Sequence, residues 1–194
     1  MPDTSQSDAE LIIRFRGGDE TAFEKIVEKY RERSFWIAYN ITNNAEEARD
    51  ISQEAFIRVF RSLHRFDTKR NFYTWFYRIV VNLCIDYIRR KSAASMVNLE
   101  DVGDISNPGE RPEERMESME LKDRVRKILD SLPLKYRTVM ALRDIHGFSC
   151  KEISKILKCS HATVRWRLHR SRKIFRDIWE MKFRQSVADE FARQ

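Results

Sequence analysis

From Leu11 onward the large apolar residues recur at three- and four-residue spacing rather than in alternation, and only five glycines and four prolines interrupt 194 residues. That period lays an apolar stripe along a helix and leaves no strand signal, so the spacing predicts an all-α chain. Leu11, Ile12 and Phe15, then Phe23, Ile26, Val27 and Tyr30, mark two amphipathic helices broken at Gly17-Gly18, with Asp19 as the second N-cap. Asn44 opens the next helix; Glu46 and Glu47 suit the positive end of its dipole, and Ile51, Ala55, Val59 and Leu63 carry the stripe. The loop HRFDTKRN then leads into an aromatic helix that ends in Arg89, Arg90 and Lys91.

The stretch 92–120 holds Pro108, Gly109 and Pro112, few large apolar residues and most of the acidic excess. It reads as an acidic flexible linker between two small helical domains, 1–91 and 121–180, with a tail at 181–194. In the second domain VRKILDSL and PLKYRTVMALRDI are helical, Pro133 suits a helix start and Gly147 a turn. Ser149 and Glu152 have capping-box spacing, and the short break KCS precedes a basic helix from about His161. Helix, brief turn and basic helix make a helix-turn-helix. The tail carries Phe183, Val187 and Phe191 at helical spacing, as in a short extra helix or a regulatory contact.

Charge points to the partner. Residues 1–91 carry 16 basic and 14 acidic side chains, 92–120 two and eight, and 121–194 carry 19 and eight, so the cationic excess sits at the C-terminal end. Such a surface attracts a polyanion. In the last helix Arg165, Arg167, Arg170, Arg172, Lys173 and Arg176 occur with no acid before Asp177, while Val164, Leu168, Phe175 and Ile178 supply an anchoring stripe. A solvated surface helix normally mixes both signs; an unbroken run of cations after a helix-turn-helix break fits a DNA groove. At the other end, Phe72 to Tyr77 hold five ring-bearing side chains between Arg70 and Arg78. Rings interleaved with cations suit unpaired bases, whose flat faces stack while the cations hold the backbone.

The opening MPDTSQSDAE has no basic region leading into an apolar run, and no stretch is long enough to span a bilayer, so the expected location is cytoplasmic, without membrane insertion. Three cysteines fit reduced thiols, with Cys84 a buried small hydrophobe. His146, Cys150, Cys159 and His161 match no common zinc spacing, so neither metal nor cofactor is expected. Without a Gly-rich phosphate loop or a catalytic constellation, the chain does not read as an enzyme.

The ordered set RDISQEAFIRVFRSLHRF, NFYTWFYRIVVNLCIDYIRRK, an acidic linker, LPLKYRTVMALRDIHGFSCKEISKIL and ATVRWRLHRSRK resembles the extracytoplasmic-function sigma factors of the sigma-70 family, across about residues 8–180. The resemblance implies a region 2-like bundle and a region 4-like helix-turn-helix in a factor that joins bacterial RNA polymerase core, recognises promoter DNA, both duplex and opened non-template strand, and helps open it. It places core binding on Asp50, Gln53, Glu54, Phe56 and Arg58, beside Ile57 and Arg61 on the face opposite the α-helical stripe. It places the minus-ten element on Lys69, Arg70, Asn71, Phe72, Tyr73, Trp75, Arg78 and Asn82. The minus-thirty-five element falls to Arg165, Trp166, His169 and Arg170, with Arg172 and Lys173 on phosphates. Trp166 departs from the small polar residue often found there in the family. Phe72, Trp75 and Phe76 share one side of their helix and Tyr73 and Tyr77 another, so some rings are core. The linker is either a nucleic-acid mimic threading the polymerase or a plain spacer. An anti-sigma factor is a family-level partner. The rival is a stand-alone helix-turn-helix regulator with an N-terminal sensing domain.

Overall fold

The computed structural model describes the backbone of residues 7–97 and 114–191 and the side chains of 7–93 and 121–182. Local chemistry sets the helix ends. Ser7 and Glu10 cap each other reciprocally, the Ser7 amide donating to the Glu10 carboxylate at 2.8 Å, and open α1 (Asp8–Arg16). The chain turns at Gly17 and at Gly18, whose φ of 94° an L side chain adopts only with strain. Asp19 accepts from the Thr21 amide at 3.1 Å and starts α2 (Glu20–Thr42). Asn43, left-handed at φ 55°, ends it, and Asn44 accepts from the Glu46 and Glu47 amides at 2.9 and 3.1 Å to start α3 (Ala45–Leu63). Asn71 accepts from the Thr74 amide at 2.9 Å beside the start of α4 (Phe72–Val97).

These four helices bury their stripes against one another. Leu11, Ile12 and Phe15 of α1, Ile26, Ile37 and Ile41 of α2, Ala55, Val59 and Leu63 of α3, and Phe72, Phe76 and Val80 of α4 are all in the core. Inside it, Ser34 of α2 and Ser52 of α3 share a hydrogen bond of 2.7 Å, which satisfies two hydroxyls that burial would otherwise penalise. Arg16 reaches across from α1 to donate to the carbonyls of Leu63 and Phe66, closing the end of α3.

Then come α5 (Glu114–Ser131), α6 (Leu134–Met140), a π-helical turn (Ala141–Ile145), α7 (Cys150–Leu157) and α8 (His161–Phe191). Pro133 stands at the N-cap of α6 rather than inside its first turn. The wide turn closes with the His146 amide donating to the Ala141 carbonyl at 3.0 Å, and Gly147, at φ 72°, reverses the chain. Ser149 and Glu152 form the expected capping box, and Lys158, left-handed at φ 49°, ends α7. Every described element is helical.

Helical backbone reaches into both ends of the acidic stretch, to Val97 and from Glu114; residues 98–113, with Pro108, Gly109 and Pro112, lie outside those described. The tail backbone is not a separate helix but continues α8 to Phe191, and the side chains of Phe183, Val187 and Phe191 lie outside those described.

The two halves are packed together. Arg33 of α2 donates to the His146 carbonyl at 2.6 Å, Asn40 meets His146 Nε2 at 3.0 Å, and Arg137 donates to the Ile41 carbonyl at 3.1 Å. Val139, Leu142, Phe148, Ile153, Ile156, Val164 and Leu168 join the N-terminal residues in one continuous core.

Two outcomes follow. Phe76→Ala is expected to cost about 3–5 kcal/mol in urea unfolding, because it empties the centre of the ring cluster. Burial, then the neighbouring Arg33 guanidinium, holds His146 down to about 4, with a partial opposing bond to the Trp36 backbone. The less folded form therefore takes up the proton first: the His146 contribution is intact above about pH 6.5 and is lost as pH falls toward 4. The unfolding midpoint should drop between pH 7 and pH 5, and His146→Gln should flatten that drop.

Candidate nucleic-acid interface

In α8 the Ser160 hydroxyl accepts from the Thr163 amide at 3.0 Å and fixes the first turn. Val164, Leu168 and Ser171 then face the core, the Ser171 hydroxyl returning its hydrogen bond to the Leu168 carbonyl at 2.9 Å, and Phe175 and Ile178 are half-buried. These five residues anchor the helix and turn Arg165, Trp166, His169, Arg170 and Lys173 to solvent. Trp166 is 57% exposed, its ring 6.2 Å from Tyr136, so its indole stands free for an apolar contact such as a thymine methyl or a sugar.

Arg172 behaves differently. Its guanidinium forks onto both carboxylate oxygens of Asp144, and that hydrogen bonding raises it above its ordinary range. In this form it staples the π turn to α8 while its side chain stays about half exposed. Beside it Arg143, Arg165, His169, Lys173 and Arg176 line a concavity of about 560 Å³. Arg143 was not legible as part of this surface, because it lies two elements away and is positioned by its bond to the Phe148 carbonyl at 3.0 Å.

The aromatic stretch divides by face. Phe72, Trp75 and Phe76 lie together as their spacing requires, with Phe72 5.6 Å from Trp75 and 6.1 Å from Phe76. Phe72, taken as a base-contacting residue, is only 4% exposed and packs on Phe66 and Tyr30; it is core. Trp75 rests half-buried on Phe66 at 4.6 Å. Lys69, Arg70 and Asn82 are exposed and Arg78 is half-buried. The Asn71 side-chain oxygen is already engaged by the Thr74 amide, so its amide group is what remains for a base. Tyr73 and Tyr77 turn to the other side, 4.8 Å apart, against Phe148; burial raises both phenols above their ordinary range.

On α3, Asp50, Gln53, Ile57, Arg58 and Arg61 are exposed and Glu54 half-buried, opposite buried Ile51, Ala55 and Val59. Glu54 pairs with Arg58 at 2.7 Å. Phe56, expected on the same surface, is 9% exposed and set against Phe76 at 5.1 Å, so it offers an edge, not a face. That edge joins Val27 and Phe35 at the floor of a groove of about 490 Å³ between α2 and α3, rimmed by Arg31, Arg49 and Gln53. The share contributed by α2 was not read from sequence, since Val27, Arg31 and Phe35 look there like an ordinary helix face.

Among the described residues no group of three or more His, Cys, Asp or Glu stands close enough to hold a metal ion, and no helix is long and apolar enough to cross a membrane. Cys84 is buried, which pushes its thiol up.

Residues 26–94 match the family Sigma-70 region 2, and residues 122–174 match Sigma-70, region 4. The ECF RNA polymerase sigma factor SigW of Bacillus subtilis (strain 168) is 38% identical over 85% of this chain and 92% of its own length. The RNA polymerase sigma-H factor of Pseudomonas aeruginosa is 34% identical over 88% and 92%. In fold, the chain is similar to CnrH in complex with the cytosolic domain of CnrY, with a TM-score of 0.68 at 22% identity, covering 91% of this chain and 99% of that one. It is also similar to the sigma factor RpoE in complex with the anti-sigma factor NepR from Bartonella quintana, with a TM-score of 0.66 at 20% identity, covering 81% and 96%. Two matched regions in the order of the helical bundle and the helix-turn-helix, and relatives aligned along most of their length, make this chain a member of the extracytoplasmic-function sigma factors of the sigma-70 family.

Proposed function

We propose that this chain is a promoter-specific initiation factor of bacterial RNA polymerase, acting in the cytoplasm and without catalysis of its own. The observation that carries this reading is the pairing of an exposed cationic helix-turn-helix face with a region 2 bundle, in a chain 38% identical to SigW over 85% of its length. The family match disfavours the stand-alone regulator, because the N-terminal half is region 2 rather than a sensing domain.

In this reading the exposed side of α3, with Asp50, Gln53, Glu54 and Arg58, docks on core polymerase, and Phe56 closes the groove behind it. Arg165, Trp166, His169 and Arg170 read the minus-thirty-five element, with Lys173 on a phosphate. Lys69, Arg70, Asn71, Tyr73, Trp75, Arg78 and Asn82 hold the minus-ten strand. Magnitudes divide the labour. Separating about ten base pairs forfeits about 1.4 kcal/mol per step, whereas stacking two or three bases returns about 1–3 kcal/mol each. The chain therefore captures bases that the polymerase complex opens. RpoE was solved with the anti-sigma factor NepR and CnrH with the cytosolic domain of CnrY, and an anti-sigma partner for this chain is part of the same proposal.

The test is affinity for purified core polymerase. Charge reversal by Asp50→Arg or Glu54→Arg should weaken it at least about tenfold with helical content unchanged, because each reversal changes the charge pattern of the proposed docking face. Unaltered affinity in both variants would remove α3 from the interface. On DNA, Arg165→Ala should weaken promoter binding by about 1–3 kcal/mol and relax specificity, while Lys173→Ala should mainly reduce the salt slope. Equal losses on matched and mismatched promoters would contradict the role of Arg165.

A further inference from the structure

Trp166 sits in the middle of the exposed face of α8 and differs in chemistry from its neighbours there. Arg165, His169 and Arg170 are polar or cationic, whereas the indole is a large apolar surface left 57% open. Val164, Leu168 and Ser171, which anchor the helix, lie on its other side, so the core does not use this ring. Nor does the ring hang loose. It leans on Tyr136 of α6, with 6.2 Å between centroids and the planes tilted by 54°. Tyr136 is itself buried and has the Lys135 ammonium 5.0 Å from its ring centre. A fixed phenol therefore limits where the indole can swing, and a side chain held before binding gives up less freedom when it binds.

Groove chemistry restricts what such a ring can meet. Laying an indole on a phosphate strips water from a charge and returns nothing, and the backbone contacts fall to the arginines and Lys173. In the major groove guanine, adenine and cytosine present polar groups, and thymine adds the one apolar group, its 5-methyl. Arg165, the preceding residue, suits the guanine edge. Successive residues rise about 1.5 Å along a helix and base pairs about 3.4 Å along a duplex, so these two side chains reach the same or neighbouring base pairs.

We propose that Trp166, backed by Tyr136, is a specificity-determining residue that reads a pyrimidine 5-methyl group, so that the upstream element bound by α8 carries a thymine beside the guanine that Arg165 suits. What is read is the methyl rather than the whole base: 5-methylcytosine presents the same group at the same place, and uracil lacks it. A cation at this position would add affinity to every sequence, whereas the indole adds it only where the methyl is. The inference rests on the functional reading for the docking of α8 in the groove.

The test uses the full chain with purified core polymerase. Duplexes enriched from a randomised pool by this complex, and not by core polymerase by itself, are the probes. Each thymine of the upstream element is replaced singly by deoxyuridine, which deletes one methyl and leaves base pairing unchanged. One replacement should weaken binding by about three- to fivefold, the effect of exposing a single buried methyl. In Trp166→Ser the same replacement should change binding by less than about 1.5-fold, while Trp166→Phe, which keeps an apolar ring, should stay sensitive. At that position cytosine should bind more weakly than thymine, and 5-methylcytosine about three- to fivefold more tightly than cytosine. Because Trp166 lies outside the core, the serine variant should keep its helical content and its affinity for core polymerase. Deoxyuridine without effect at every upstream thymine overturns the inference, as does an effect that survives in Trp166→Ser, or an enriched upstream element with no thymine. A complex that enriches nothing beyond core polymerase overturns the functional reading and the inference with it, so the two failures are distinct.

Discussion

The ring of Tyr30 is the point on which the N-terminal half closes. It meets Phe72 at 5.4 Å, Phe76 at 5.1 Å and Tyr77 at 5.9 Å, and its hydroxyl donates to Asp8 at 2.6 Å. One side chain of α2 thereby fixes the start of α1 and the aromatic face of α4. Burial, then the Asp8 carboxylate, pushes the phenol far up, so it stays a donor throughout the physiological range. The rotation of α4 follows from this: with Phe72, Phe76 and Val80 drawn inward, Lys69, Arg70 and Asn82 are left outside and Tyr73 faces the second half.

The same packing answers why rings and arginines share so short a stretch. Most of the rings supply the core that a small bundle needs, each burying a large apolar area. The flanking cations are not embarrassed by that core, because the helix turns them away from it. What remains for nucleic acid is a thin surface layer, consistent with a protein that captures bases without having to separate them. In the other half the arrangement is simpler: two turns of stripe anchor α8, and charge occupies the rest. The Asp144 carboxylate engages Arg172 and ties the π turn to α8.

Much of this was legible in the sequence. The caps at Asp19, Asn44 and Ser149 announced themselves because their side chains act within a few residues of their own position. The outer side of α3 and the stripe of α8 followed from the helical period alone. Phe56 and Phe72 escaped because periodicity tells which residues share a face, not which face meets another helix. The docking of the halves escaped for a related reason: Arg33 and His146 are 113 residues apart, and no spacing rule connects them. Sequence displays the charge of Arg172 and hides the Asp144 carboxylate that pairs with it. The residue-level roles proposed in DNA and polymerase binding rest on family resemblance and side-chain chemistry together.

The central claim is that this chain gives RNA polymerase a promoter preference the core enzyme lacks. Run-off transcription with purified bacterial core polymerase, over a library of randomised promoters, tests it most directly. Discrete transcripts that share upstream elements, present only when the chain is added, are the predicted result. Core polymerase that gives the same products with and without the chain, or a chain that by itself occupies duplex sites and blocks transcription, would contradict it.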